Sequence, residues 1–269
     1  MMCHLFARRI VKRSADVLLV LFLGVLVLAD AETALAQYVA GSRAHPRFDD
    51  RWKASQSIVI LPPKISLFQV GAGSVPEPVE EWSAAAQANF TAATAEYLQD
   101  EVKLRVSLLK LDPNTPGASA LDETWALYDA VEYSILLHTF AQQARNPHGG
   151  AFVSSVNVFS EKVEAFEYSL GSEVSTLAEQ TDALMIIRGS GFRATTGRQA
   201  LQMGTALLGL LGGLVIIPGA SASNDLSVAL VDARDGAILW YARSIEAADW
   251  GDPVAARQLV RQLFSALLK

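Results

Sequence analysis

The stretch covering residues 181–244 constrains the fold more than any other part of the chain. Leu226-Ser-Val-Ala-Leu-Val231 and Ala237-Ile-Leu-Trp-Tyr-Ala-Arg243 are two β-rich runs separated by Asp232-Ala-Arg-Asp-Gly236. Gly236 offers the positive φ that a tight hairpin with a bulge needs. Leu226, Val228 and Leu230 alternate with smaller residues, which predicts one buried face on that strand. Just upstream, Ala183-Leu-Met-Ile-Ile187 is a continuous apolar run, the pattern of a strand covered on both faces. Three adjacent strands of one sheet are therefore expected here.

The rest of the chain supplies partners for that sheet. Residues 37–56 carry Gly, Pro and mixed charge and read as an extended arm. Ser57-Ile-Val-Ile-Leu61 reads as a short buried strand, stopped by Pro62-Pro63, which lack amide donors. Residues 65–78 contain Gly71, Gly73, Pro76 and Pro78 and read as a loop. Residues 80–101 read as a helix, with Trp82, Ala86, Phe90, Ala93 and Tyr97 at steps of three and four. That stripe fits core packing better than a ligand shelf. Residues 102–109 alternate as a second strand, and 121–144 form a second long helix with Trp125, Tyr128, Ile135 and Leu136 on its apolar side. Residues 152–168 fit helix or strand equally. Phe166, Leu170, Val174 and Leu177 then suggest a helix interrupted by Gly171, and 253–269 form the last helix, with proline in its first turn. The expected architecture is α/β, an α+β sandwich. A mixed sheet of four to five strands carries packed helices, in the order β-α-β-α-α-β-β-α.

The beginning of the chain indicates a compartment. Arg8, Arg9, Lys12 and Arg13 precede an apolar run over residues 17–29, and Ala34-Leu35-Ala36 fits a small-x-small cleavage site. This is the layout of a secretory signal peptide over residues 1–36. The run is short for the roughly 20 residues a membrane span needs. The single cysteine, Cys3, precedes the apolar run, so no lipid anchor is expected and no disulfide is available beyond it. Without the first 36 residues, 18 basic residues face 25 acidic ones, a net charge of −7. No basic block survives there, which argues against nucleic acid as a partner.

One segment does not fit a plain hairpin connection. No charge occurs between Arg198 and Asp225, and Ala206-Leu-Leu-Gly-Leu-Leu-Gly-Gly-Leu-Val-Ile-Ile217 is wholly apolar. We treat 199–224 as an apolar hairpin insertion. As a helix its twelve-residue centre would reach only about 18 Å, too short for a bilayer. It is either a loop folded back over the core or a contact surface for a membrane or a like subunit. The contact residues would be Leu207, Leu208, Leu210, Leu211, Leu214, Val215, Ile216 and Ile217.

Catalytic patterns are sparse. There is no Gly-x-Ser-x-Gly elbow, no phosphate-binding loop ending in Lys-Ser or Lys-Thr, and no His-Glu-x-x-His. His45, His138 and His148 are scattered, so no metal or other cofactor is expected. Glu80-Glu81 and Asp232/Asp235 are carboxylate pairs that a helix start and a turn explain. Gly189-Ser190-Gly191 follows a strand but lacks the rest of a dinucleotide fingerprint.

Three stretches carry a family resemblance: Ser57-Ile-Val-Ile-Leu-Pro62, Thr181-Asp-Ala-Leu-Met-Ile-Ile187, and Val228-Ala-Leu-Val-Asp-Ala-Arg-Asp-Gly-Ala-Ile-Leu-Trp240. With the element order, they resemble the anticodon-binding-like fold of bacterial envelope proteins. That group includes the TolB amino-terminal domain and the curli-secretion lipoprotein family. The resemblance implies a non-enzymatic envelope accessory or assembly protein; with the signal layout of residues 1–36, the chain is expected to be periplasmic or outer-membrane associated after Sec-type export and cleavage near Ala36. It would bind envelope proteins or like subunits, with membrane-surface contact through 206–217. The alternative is a small-ligand-binding protein or hydrolase with a site at loops 65–78 and 189–191. The chain departs from the group in lacking the lipid-anchor cysteine and in carrying the apolar insertion.

Overall fold

The structure is a computed structural model and describes residues 37–38, 41–71, 75–111, 116–140, 165–178, 181–195, 197, 222–246, 248–265 and 267. The chain divides into two compact units, Met1–Tyr38 and Val39–Lys269. Of the first, the described part is the short strand β1 (Gln37–Tyr38). The second unit holds the sheet and its helices.

In that unit the elements run β2 (Ser42–Ala44), α1 (Phe48–Ala54), β3 (Ser57–Ile60), β4 (Lys64–Val70), β5 (Glu77–Pro78), α2 (Glu80–Asp100) and β6 (Arg105–Leu108). Then come α3 (Pro116–Ile135), a π-helical turn (Leu136–Phe140), a 3-10 helix (Ser172–Leu177), β7 (Ala183–Ala194), β8 (Ala222–Asp232), β9 (Ile238–Glu246) and α4 (Pro253–Phe264). The predicted α/β class holds. The sheet is mixed and unclosed, with eight strands among the described residues of this unit against the four to five expected.

Strands β7, β8 and β9 are consecutive antiparallel neighbours, as the sequence predicts, and β2 pairs on the far edge of β9. The other edge of β7 is shared. Strand β3 pairs parallel with its start, Ile58 beside Ala183, and β4 pairs parallel with its end, from Lys64 beside Arg188 to Val70 beside Ala194. Outside these lie β6, parallel to β3, and β5, antiparallel to β4.

This arrangement corrects two readings. Pro62-Pro63 do not end the edge. Lacking N–H donors, they interrupt the ladder, which resumes at Lys64. Residues 65–78 are therefore not a loop: they hold most of β4 and all of β5, with Ile65, Leu67 and Val70 buried. Likewise 189–191 lie inside β7 rather than in a loop. The arm is also not wholly extended, since 48–54 form α1. The insertion is shorter than 199–224, because 222–224 belong to β8.

Helices cover both faces of the sheet because β7 is apolar on both. Leu184, Met185, Ile186 and Ile187 are all at most 1% exposed. Each such side chain contributes roughly 1.5–3 kcal/mol on burial. Met185 and Ile187 face a core shared with α2 and α4. There Phe90 packs edge-on to Trp250 (5.3 Å), and Tyr97 and Trp240 both pack edge-on to Phe264 (5.4 and 5.7 Å). Leu184 and Ile186 face the opposite core, with Tyr128 and Ile135 of α3 and Phe166, Leu170, Val174 and Leu177 near the 3-10 helix. The four apolar residues read as a helix stripe are all buried, but the regular element is only the 3-10 turn, because Gly171 sits at φ +83°.

Element ends follow local chemistry. Asp252 caps α4 by accepting the Val254 N–H at 2.9 Å, with Pro253 in the first turn. The chain leaves α2 through Lys103 at φ +67°, and the Leu104 N–H returns to the Leu98 carbonyl at 3.0 Å. That left-handed residue shortens the expected strand over 102–109 to β6. Between β8 and β9 the Gly236 N–H bonds the Asp232 carbonyl (2.9 Å), and the Asp232 N–H bonds the Ala237 carbonyl (2.8 Å). Gly236 has φ +70°, and a register shift at Leu230/Val231 supplies the bulge.

Candidate functional site

The structure brings the two segments of the alternative ligand site together, but as paired strands. Ile65, Ser66 and Leu67 lie in register beside Gly189, Ser190 and Gly191. On the face where they meet Trp250 and Asn224, Gly189 and Gly191 are closely packed by the protein itself. A Cβ on Gly189 would come within 2.8 Å of Trp250 Cζ3 and 3.2 Å of Leu226 Cδ1. A Cβ on Gly191 would collide with Asn224, whose side-chain amide donates to the Ala248 carbonyl at 2.6 Å. These glycines permit close packing between strand and side chain. Beyond them Arg193 pairs with Asp249 and lies 5.3 Å from the Trp82 ring.

A second polar group lies where α3 crosses the sheet. Glu132 is buried and accepts from Arg188 and from the Tyr241 hydroxyl, the latter at 3.1 Å. One turn before it, Asp129 pairs with Arg188 Nε at 3.2 Å and with Lys64 Nζ at 3.2 Å. Lys64 also lies 5.5 Å from the Trp125 ring. Tyr128 shares a hydrogen bond with Ser227 at 3.5 Å. Burial pushes the Tyr128 and Tyr241 phenols well above their ordinary range, so both hold their protons. The carboxylates and cations neutralise each other across the helix–sheet contact. The group is arranged to hold α3 on β4, β7 and β9.

The acidic turn between β8 and β9 is a third cluster. Arg51 of α1 donates through Nη1 to Asp232 (3.0 Å) and to Asp235 (2.9 and 2.8 Å), and Arg234 closes on Asp232 at 2.9 and 2.8 Å. Burial alone would raise the Asp232 carboxyl, but the Arg234 and Arg51 guanidiniums outweigh it and hold it below the usual carboxylate range. Asp182, at the entry to β7, likewise overcomes burial by accepting from the Gln56 and Ser57 amides and the Ser57 hydroxyl, and is held low. The Asp232/Asp235 pair thus anchors α1 to the hairpin, while Glu80 and Glu81 sit in the first turn of α2 as expected.

The remaining predicted residues do not converge. The His45 ring accepts the Arg47 N–H at 3.0 Å, His138 hydrogen-bonds Tyr168 at 3.3 Å, and His148 lies outside the described residues. Among the described residues no three His, Cys, Asp or Glu side chains gather as a metal-ligand set, and no helix is long and apolar enough to cross a membrane. The contact residues Leu207, Leu208, Leu210, Leu211, Leu214, Val215, Ile216 and Ile217 lie outside the described residues. A cleft of about 50 Å3 opens between α2 and α4, lined by Ala93, Glu96, Tyr97, Asp100, Glu101, Arg257 and Arg261. Pockets for small molecules run to roughly 300–1,000 Å3.

The Glu132 group was not anticipated from sequence, although a signal existed. Glu132 falls four residues after Tyr128 and seven after Trp125, on the apolar stripe of α3. A carboxylate in that position requires a buried partner, and Arg188 in the apolar run of β7 provides it.

Comparison with known proteins places these observations beside two bacterial structures. No family model matches the chain, and no curated protein matches it. Among solved structures it is similar to the PelC dodecamer from Paraburkholderia phytofirmans, at TM-score 0.35 and 9% identity over 86% of this chain and 95% of that one. It is also similar to lipoprotein GNA1162 from Neisseria meningitidis, at TM-score 0.28 and 13% identity over 79% and 94%. Likenesses at these levels assign no family to the chain.

Proposed function

We propose that this chain is an exported, non-enzymatic accessory or assembly protein of the bacterial cell envelope that acts by binding other components. The observation that carries the reading is that 65–70 and 189–191 are paired strands, with Gly189 and Gly191 packed against Trp250, Leu226 and Asn224, rather than two loops around an opening. What this part of the molecule offers a partner is surface. The signal-like first 36 residues and the acidic, cysteine-free remainder support placement outside the cytoplasm. The resemblance of the 57–62, 181–187 and 228–240 stretches to the anticodon-binding-like envelope group supports an assembly role in the periplasm or at the outer membrane. The partners we propose are envelope proteins or like subunits, with membrane-surface contact through the apolar residues 206–217. No nucleic acid and no cofactor enter this reading.

The test is mild crosslinking in intact cells, followed by recovery of the chain and identification of what is attached. Recovery of one or a few envelope proteins, in fixed ratio to the chain, is expected. Recovery of the chain only as an uncrosslinked monomer at every crosslinker concentration contradicts the proposal.

A further inference from the structure

The turn between β8 and β9 contains Asp235-Gly236, the only Asp-Gly step in a chain that has no Asn-Gly step. In such a dipeptide the glycine nitrogen can attack the aspartate side chain, because glycine adds no Cβ to shield it and its backbone turns freely. The Gly236 nitrogen would bond to Asp235 Cγ and close a succinimide ring. One carboxyl oxygen leaves as water, taking the amide proton and one proton from solvent. Water then reopens the ring at either carbonyl. One opening restores Asp235. The other leaves the main chain running through the side chain as isoaspartate, longer by a single carbon. Nothing but water takes part, and no group is oxidised or reduced.

The folded turn engages the atoms this reaction has to move. The Asp235 side chain is 49% exposed, so solvent reaches it. Yet both of its oxygens are held. Arg51 Nη1 donates to Oδ1 at 2.9 Å and to Oδ2 at 2.8 Å, and the Ala237 N–H donates to Oδ1 at 3.1 Å. The Gly236 N–H is committed to the Asp232 carbonyl at 2.9 Å. The peptide is fixed on both sides as well. The Asp235 carbonyl accepts from the Ser169 hydroxyl at 2.9 Å, and the Gly236 carbonyl accepts from the Leu170 N–H at 2.8 Å. Ring closure must swing Cγ onto the Gly236 nitrogen. That movement breaks the Arg51 bonds and draws the Gly236 N–H away from Asp232. Hydrogen bonds between charged groups are the stronger ones. Arg51 arrives from α1, where Phe48 and Trp52 pack against the core shared with α2 and α4.

We propose that Asp235–Gly236 is a site of succinimide-mediated isomerisation and that Arg51 is the positioning residue that holds it shut. The inference goes beyond the envelope reading and does not rest on it. Arg51 can be replaced without dismantling the turn, because Asp232 keeps Arg234 at 2.9 and 2.8 Å. Isomerisation itself would undo the turn. An extra backbone carbon between 235 and 236 displaces the Gly236 N–H from the Asp232 carbonyl. It also moves Gly236 from its close contact with the Gly171 backbone. The docking of α1 and the chemical lifetime of the β8–β9 hairpin are thereby coupled.

The test incubates the full chain in warm neutral buffer and follows isoaspartate at 235 by peptide mapping, with fragmentation that separates the two linkages. In urea, where the turn is open, the unaltered chain is expected to accumulate it. The folded chain should do so roughly tenfold more slowly or less, since the turn must open locally first. Arg51→Met, shown to be folded by its thermal melt, should raise the folded rate roughly tenfold, as expected for the loss of hydrogen bonds between charged groups. Asp235→Glu, whose ring would need a further carbon, should give none. Arg51→Lys keeps the charge but not the guanidinium fork, and its rate should fall between the two. It carries the test if Arg51→Met does not fold. Any of four results overturns the inference. These are no isoaspartate at 235 in urea, a folded chain that isomerises as fast as the unfolded one, folded Arg51 variants at the unaltered rate, and an Arg51 variant in which every aspartate isomerises faster alike.

Discussion

At the scale of single residues, three glycines do the most to shape the sheet. Gly236 sits at φ +70° in the β8–β9 turn, and a Cβ there would overlap the Gly171 carbonyl and lie 2.7 Å from Gly171 N. Gly236→Ala therefore pays both for a left-handed backbone, about 1–2 kcal/mol, and for displacing the neighbouring chain. Urea unfolding should show a stability loss above 2 kcal/mol, and an unchanged midpoint would contradict the assigned turn. The conformational demand on Gly236 was legible in the sequence because a short connection between two β-rich runs leaves few turn geometries. Gly189 and Gly191 were misread as a loop for a physical reason. Glycine signals turns when its backbone freedom is used, but here its missing side chain is used. It makes room for Trp250 and Asn224, which arrive from distant parts of the chain.

At the scale of elements, the attachment of α3 to the sheet depends on a buried carboxylate with two donors. Removing Arg188 leaves Glu132 with the Tyr241 hydroxyl and no neutralising cation. Breaking such a pair costs roughly 3–5 kcal/mol, and the 40% exposure of Arg188 places the loss toward the lower end. Arg188→Met should destabilise the chain strongly. Glu132→Leu combined with Arg188→Met should recover most of that loss, since the uncompensated charge is gone. Unfolding free energies of the two single variants and the double variant measure the coupling, and costs that simply add would contradict the account. The long helices were legible from their apolar stripes, and so was β7. The β4–β5 addition was not, because Pro62-Pro63 and the glycines and prolines that follow mimic a loop. Pairing with β7, unseen from local sequence, decides that they belong to the sheet.

At the scale of the whole molecule, a mixed eight-stranded sheet, covered by α2 and α4 on one face and by α3 on the other, forms the second unit. The class of this architecture was legible because β7 is apolar on both faces and demands a layer on each side. The extent of the sheet was not, since its edges are short strands recruited by pairing. The proposed compartment rests on the first 36 residues and the composition that follows them. The most direct test of an envelope protein acting outside the cytoplasm is the amino-terminal sequence of the chain recovered from fractionated bacterial cells. The account predicts a protein beginning at Gln37 in the periplasmic or outer-membrane fraction. A protein still beginning at Met1 and recovered in the cytosol would contradict it.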